Sequence, residues 1–341
     1  MTRWALFGDV HIDRMKRFLP KEEALHMHVR QLALQLELAR ESKCTHAVML
    51  GDIFDHPFPD QDSQIILLQF LASASDLQWL IFPGNHDVKD SSNVSLKLLR
   101  KLPEAGALRH VRFAMDRALL QWGGLRVAVI PWSDKVPQNL SRHAELALFH
   151  NSLVGAMRDN GLRIPVGKGL PPSVFDGVPA IGGHLHTPHR LGNILYPGTF
   201  PQQDFGEAPV KRFFTMEVKP QGKVSFSSVK VHNPPWRLKV VDYIGSKTPP
   251  CNEPDTFYKV VFGEERPTPT WLTDHPRVVR VEGKPNSQVI RVAEQTAKLV
   301  GKSGGEDDRT ILSRWLHHHG NVDVVSRAVA LRLHDKLSQE N

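Results

Sequence analysis

Short apolar runs that stop abruptly at Gly, Asp, Asn or His recur through the chain, and they restrict the fold more than any other feature. Trp4–Phe7 leads into Asp9-Val10-His11. Ala47–Leu50 ends at Gly51-Asp52-Ile53-Phe54-Asp55, and Leu77–Phe82 at Pro83-Gly84-Asn85-His86-Asp87. Leu146–Phe149 ends at His150, and Val178–Gly182 at Gly183-His184-Leu185-His186. Runs of four to six mainly apolar residues, interrupted only by Gln78, predict buried strands. Between the first of them, apolar positions recur at helical spacing. Leu25, Val29, Leu32, Leu36 and Ala39 mark one helix face, Ile65, Leu68, Leu71 and Ala72 a second, and Val94, Leu98 and Leu102 a third. Strand and helix in alternation predict an α/β fold built around a sheet.

The texture changes after Val111. Leu119–Trp122 and Leu125–Ile130 flank Gly123-Gly124 and predict a hairpin. Residues 154–177, rich in Gly, Pro and charge, read as a surface loop. Phe213–Val218 and Val224–Val231 are further strands. Beyond Pro234-Pro235 come short β-rich runs, Leu238–Ile244, Tyr258–Phe262 and Val278–Val281, separated by Pro-rich turns. From about Ser287 the pattern is helical, broken at Gly301–Gly305. The expected division is a main domain over 1–235, a small appended domain over 236–285 and a helical region over 286–341, since 341 residues exceed the usual size of one domain.

Composition excludes some classes of protein. The two cysteines, Cys44 and Cys251, provide neither a disulfide framework nor a thiolate zinc site, which suits a reducing cytoplasm. The longest apolar stretch, Ile65–Ala74, is interrupted by Gln69 and Ser73 and is too short to span a bilayer, and no signal peptide precedes the first strand. A soluble, cytoplasmic protein with no membrane partner is expected. The net charge is +7 with a pI near 9.4. Residues 1–235 carry 27 basic against 22 acidic side chains, so the excess lies in the main domain and permits a polyanionic partner.

An isolated Asp-x-His or Gly-Asp is usually an ordinary turn, and a lone buried His is usually structural. Five such blocks at five strand ends are a different matter, because loops at the carboxyl edge of a sheet are where ligands gather. Oxygen and imidazole donors together suit a divalent first-row metal such as manganese, iron or zinc. Jointly the blocks resemble the signature of the calcineurin-like metallophosphoesterases: D-x-H, G-D-x-x-D, G-N-H-[DE], an isolated His, and G-H-x-H. The resemblance implies a four-layer, two-sheet α/β sandwich flanked by helices, with a small α+β capping domain and a helical C-terminal tail. It implies two divalent cations, manganese by expectation. Asp9, His11, Asp52 and His186 would hold one, and Asp52 (bridging), Asn85, His150 and His184 the other. His86 would assist the leaving oxygen, with Asp87 orienting it and Asp55 in a supporting role.

Within that superfamily the phosphoprotein phosphatases extend the second block to G-D-x-V-D-R-G. Here Asp55 is followed by His56-Pro57, without the phosphate-binding Arg. The chain is more similar to the SbcD family of bacterial and phage nuclease subunits. That similarity rests on Gly51–Asp55, Pro131-Trp132, Gly183–His189, Tyr196-Pro197-Gly198-Thr199-Phe200 and Asp204-Phe205-Gly206-Glu207, and it covers residues 1–235. It implies a DNA exonuclease and endonuclease of recombination or repair, working as a homodimer with an SbcC-type ATPase that docks on helices of the C-terminal region. It would act in the cytoplasm, the host's if the chain is phage-encoded. Asp13 stands where a Gly is common in relatives. The loop that follows carries Arg14, Lys16 and Arg17, candidate contacts to DNA phosphates or simply a solvated loop. Trp132 and Trp236 read as packing residues, and His317-His318-His319 as a helix end.

Overall fold

The computed structural model describes residues 2–90, 94–133, 143–243, 251–262 and 275–283. The helices expected beyond residue 286, His317–His319 among them, lie outside the described residues. Two six-stranded sheets form the body of the first compact unit, Met1–Lys239 with Asn252–Phe257. In the first sheet, β1 (Thr2–Phe7), β2 (His46–Met49), β3 (Gln78–Ile81) and β4 (Val111–Phe113) run parallel. On the other side of β1, β11 (Arg212–Val218) and β12 (Val224–Lys230) add antiparallel strands, giving the order β12-β11-β1-β2-β3-β4. The second sheet contains β5 (Ala118–Trp122), β6 (Leu125–Ile130), β7 (Leu146–His150), β8 (Ala180–Gly183), β9 (His189–Leu191) and β10 (Ile194–Tyr196), in the order β5-β6-β7-β8-β10-β9. The β5–β6 hairpin turns at Gly123-Gly124, and β6, β7 and β8 are parallel.

Strand periodicity explains why both sheets bury both faces. Trp4, Leu6, Val48, Leu50, Leu80 and Phe82 point inward and meet Val127, Val129, Leu146, Leu148 and Ile181 of the other sheet in one core. Their neighbours Ala5, Phe7, Ala47, Met49, Trp79 and Ile81 point outward into a second core. That outer core is closed by α1 (Lys21–Glu41) and α2 (Gln61–Ser73). At the start of α2, Asp60 caps the helix by accepting the Ser63 N–H at 3.0 Å. The outer face of the second sheet, with Ala128, Ile130, Ala147, Phe149 and Tyr196, is covered by Leu153, Ala156, Ile164 and Phe175. Among the described residues this fourth layer contains no regular α-helix. Residues 154–177, read as a surface loop, supply most of its buried side chains.

Two other expectations are corrected. The third helix is only the single turn α3 (Lys101–Glu104), and Leu98 is exposed, because the segment before it coils in isolated turns. On α1 and α2 the buried faces include polar residues (His28, Gln31, Gln35, Ser63), whereas Val29 and Ile65 are about half exposed. The stripe is displaced because buried hydrogen bonds, not only apolar area, fix the helix rotation. His28 donates from Nδ1 to Gln31 Oε1 (3.1 Å) and accepts the Met15 N–H at Nε2 (3.4 Å), and Trp236 packs edge-on against it. Trp236 is fully buried, its Nε1–H donated to the Gln202 carbonyl.

The second unit, Val240–Cys251 with Tyr258–Asn341, has a small core of Cys251, Tyr258 and Val260 with Val241, Tyr243, Val278 and Val281 around it. Strand β14 (Thr256–Phe262) lies in the three-stranded sheet between β13 (Arg237–Tyr243) and β15 (Val278–Gly283), parallel to the latter. Among the described residues no helix is long and apolar enough to cross a membrane.

The His28 contacts give a pH signature. Burial pushes this imidazole down from 6.5 to about 4, so the folded protein keeps it neutral where the unfolded chain protonates it. Its contribution is complete above pH 6.5 and is lost as the pH falls from 6.5 towards 4, by about 2 kcal/mol at pH 5. Urea unfolding at pH 7.5 and pH 5 should show the wild-type stability falling about 2 kcal/mol further than that of His28→Gln, which has nothing to titrate there. Equal losses in the two proteins would rule out this account.

Candidate metal centre

The carboxyl ends of β1, β2 and β3 from one sheet and of β7 and β8 from the other carry all five blocks. His150 closes β7 opposite Gly183, the last residue of β8. From there its Nδ1–H donates to the Leu50 carbonyl at the end of β2, at 2.7 Å. This bond joins the two sheets at the site and leaves Nε2 facing Asn85 Oδ1 (3.1 Å) and Asp52 Oδ2 (3.3 Å). Asn85 Oδ1 also meets His184 Nδ1 at 2.8 Å. On the other side, His11 Nε2 lies 3.3 Å from His186 Nε2 and 3.7 Å from Asp52 Oδ2, and His186 Nε2 lies 4.0 Å from Asp9 Oδ2. Asp9 further accepts the His184 N–H on both oxygens, at 3.0 and 2.9 Å.

The seven residues assigned as ligands thus meet in one place, with Asp52 between two groups of donors. Asp9, His11, Asp52 and His150 are buried, and Asn85, His184 and His186 are partly so. Ligand atoms of His11, Asp52 and His86, and separately of Asp52, His150 and His184, all lie within 4.8 Å of one another.

The loops reach this density only through unusual backbone. His11, Asp52 and His184 all have positive φ (49°, 48° and 83°), a strained conformation for residues with a Cβ and one that clusters at functional sites. Gly51 (φ 91°) and Gly84 pack against His150 and each other. A Cβ at Gly84 would collide with Asp52 Oδ1 and with the Asp52 backbone nitrogen.

The electrostatics favour a cation. Burial disfavours charge on His150, but Asp52 and Asp9 outweigh it and lift the imidazole to about 9. Burial likewise opposes charge on His186, and Glu207 overcomes it, again to about 9. At His184 desolvation, with the neighbouring His150 charge, prevails and pushes the imidazole down to about 3. The field that favours a proton on the first two rings also favours a metal ion among them. His11 presents Nε2 to the cluster while its Nδ1 faces the Asp55 carboxylate, and the convergent lone pairs of Asp52, Asn85 and the four imidazoles form a donor set that fits divalent cations.

His86, whose side chain is about one-third exposed, packs edge-on to His11, with its Nδ1 2.9 Å from the Asp55 carbonyl. Its backbone N–H donates to Asp52 Oδ1 at 2.8 Å. Asp87, expected to orient the His86 ring, instead accepts hydrogen bonds from the N–H groups of Ile53, Phe54 and Gly84 and from Ser95 Oγ, at 2.9–3.0 Å. It braces the second and third loops, and the ring rests on Asp55. The Asp55 carboxylate is fixed in turn by Arg14 (2.8 Å) and Arg17 (3.1 Å), and its Oδ1 lies 3.3 Å from His11 Nδ1.

The candidate phosphate contacts differ in their surroundings. Arg14 is buried, bound to Asp55 and to the Gln203 carbonyl, and Lys16 is bound to Asp60, Ser63 and Asp13. Arg17 is half exposed. Trp132, read as a packing residue, and Glu207, to which the sequence assigned no role, also adjoin the ligands. Trp132 inclines over the His184 ring at 5.4 Å. Glu207, from the loop before β11, bonds His186 Nδ1 at 2.8 Å. Both lie in motifs singled out in the sequence, Pro131-Trp132 and Asp204–Glu207, but only the fold brings residue 207 beside residue 186.

No protein-family model matches this chain, and no curated protein does. Among solved structures it is similar to the protein TT1561 of Thermus thermophilus, with a TM-score of 0.40 and 10% identity over 66% of this chain and 98% of that one. It is also similar to nuclease MPE of Pseudomonas putida, with a TM-score of 0.30 and 18% identity over 50% of this chain and 74% of that one. At these values neither neighbour transfers a function. The site must speak for itself.

The bracing role of Asp87 has a measurable consequence. Asp87→Ala leaves three buried N–H groups without an acceptor and should cost about 3–5 kcal/mol in urea unfolding, at about 1–3 kcal/mol for each unsatisfied group less partial relaxation. His86→Ala, at a partly exposed ring, should cost under about 1 kcal/mol. The opposite ranking would return Asp87 to the role of a partner of His86.

Proposed function

We propose that this chain is a hydrolase of the calcineurin-like metallophosphoesterase type, a DNA exonuclease and endonuclease using two divalent cations, manganese foremost. The observation that carries the reading is the meeting of Asp9, His11, Asp52, Asn85, His150, His184 and His186 in one carboxylate-rich centre, with His86 beside it. Asp9, His11, Asp52 and His186 would hold one cation, and Asp52, Asn85, His150 and His184 the other. Such a pair, when bound, acidifies water and offsets the charge of a phosphodiester under attack.

The protein's own groups do the positioning. The two sheets hold their loops in fixed register, so donors from five segments need little reorganisation when a phosphate arrives. When doubly protonated, His86 gives Nδ1–H to the Asp55 carbonyl and has Nε2–H to donate a hydrogen bond or a proton to the departing oxygen. Asp55 acts through that carbonyl and through His11, and the guanidinium groups of Arg14 and Arg17 keep its carboxylate in place.

Several features support DNA over a phosphoprotein or a small diester. The net charge is +7, His56-Pro57 replaces the phosphatase Arg-Gly extension, and the motifs at 196–200 and 204–207 are shared with SbcD-type nucleases. A role in recombination or repair, homodimerisation, and work with an SbcC-type ATPase follow from the same resemblance and belong to the proposal. So does DNA contact by the appended domain.

Purified protein with Mn2+ should cleave linear duplex and single-stranded DNA, and a chelator should abolish the activity. Asp52→Ala should lose both cation binding and cleavage. His86→Ala should keep cation binding and lose about 10²–10⁴-fold in rate. Cleavage that survives in both variants would overturn the reading. Activity confined to chromogenic small diesters, without salt-sensitive DNA binding, would move it to a small-molecule phosphodiesterase.

A further inference from the structure

Behind the His186 ring lies a buried charged group for which the ligand assignment alone has no use. Glu207 is buried, and its Oε1 lies 2.8 Å from His186 Nδ1. Its Oε2 accepts from Thr199 Oγ1 (3.1 Å) and from Lys211 Nζ (2.6 Å). Lys211 is only 2% exposed, and the same ammonium also donates to Thr199 Oγ1 (2.8 Å) and to the His186 carbonyl (3.2 Å), which accepts the Thr199 N–H as well. Both the ring and the backbone of His186 are therefore gripped from behind.

A buried Lys–Glu pair is a poor way to stabilise a core. Taking the two charges out of water costs several kcal/mol each, and an apolar pair of similar volume often does as well or better. Its retention asks for a task that charge performs and packing does not. Asp159, His186 and Glu207 could themselves be taken for a cation site, since their ligand atoms cluster. Lys211 argues against that: its Nζ already supplies the positive charge on Glu207, and Nδ1 is in direct hydrogen-bond contact with the carboxylate. What remains is orientation. An imidazole that donates Nδ1–H to a carboxylate has one tautomer and one ring plane, and its Nε2 is made more basic. For His186, Nε2 is the nitrogen that faces His11 and Asp9.

We propose that Glu207, anchored by Lys211 and Thr199, is a positioning residue for His186 and sets the cation affinity of the half-site formed with Asp9, His11 and Asp52. This rests on the metal-centre reading above and goes beyond it by assigning the group outside the ligand set that controls one half alone. Asp159, whose Oδ2 is 3.6 Å from His186 Nδ1 and whose side chain is about one-third exposed, has no part in it.

The test is calorimetric titration of the full-length, metal-stripped protein with Mn2+, which reads binding and not activity. Wild type should bind two ions. Glu207→Gln should weaken one of them about 10–100-fold and leave the other within about threefold, and Asp159→Asn should change neither by more than about threefold. Because Glu207→Gln strands the Lys211 ammonium, the paired Glu207→Gln/Lys211→Met variant is measured alongside, with circular-dichroism melting to establish that it folds. The same selective loss is expected there. Two unweakened ions in a folded variant, or equal weakening of both, would overturn the assignment to Glu207, and a loss caused by Asp159→Asn alone would transfer it to Asp159. Wild-type protein that binds no Mn2+ would instead defeat the metal-centre reading itself.

Discussion

The site depends first on the bond from His150 to the Leu50 carbonyl. It is the point where the second sheet reaches across to the end of β2 in the first, and it orients the ring at the centre of the cluster. Around it Gly51 and Gly84 bring loop backbone to within van der Waals contact of the imidazole, too close for any side chain. The inter-sheet core of Trp4, Leu6, Val48, Leu80, Val127 and Leu148 supplies the bulk of the adhesion. With the His184 N–H bonds to Asp9, this bond converts that non-directional adhesion into a defined register between loops on opposite sheets.

Around that point the polar groups fall into three tiers. Carboxylate, amide and imidazole atoms face one another at 2.8–4.0 Å. Behind them stand groups that hold the first tier still: Asp87 across three backbone amides, Asp55 under His86 and His11, and Glu207 behind His186. Behind those again are cations that neutralise the supports, Arg14 and Arg17 on Asp55 and Lys211 on Glu207. The basic loop at 14–17 thus serves the fold of the site more than its surface.

Much of the first tier was legible in the sequence because each block sits directly after a β-run and the five together resemble a known ligand signature. The blocks come from two sheets, however, and only the fold shows those edges meeting. The α/β class followed from the alternation of these runs with stretches of helical periodicity. The second tier was largely hidden. Asp87 adjoins His86 in sequence, yet the turn sends its carboxylate to residues 53, 54 and 84 instead. Glu207 is 21 residues from His186, and only the insertion of β11 beside β1 brings it close. Helix rotation was misjudged where polar residues such as His28 and Gln31 are buried as a hydrogen-bonded set, since periodicity counts apolar side chains alone. Residues 154–177 read as a surface loop because irregular chain that buries Ile164 and Phe175 has no period to detect.

The placement of β1 between β2 and β11 has a consequence for synthesis. A chain made from its N-terminus can pair β1 with β2 once residue 49 is available, but the other edge of β1 stays open until residues 212–218 follow. By then every ligand block, the last of them at 184–186, has already been made. The donors are thus complete before the sheet that carries the first of them is closed, and β11 arrives as a latch. An open parallel edge persisting over so long a stretch invites wrong pairing with other nascent chains, so the nascent protein is most exposed to misassembly just before this strand is added.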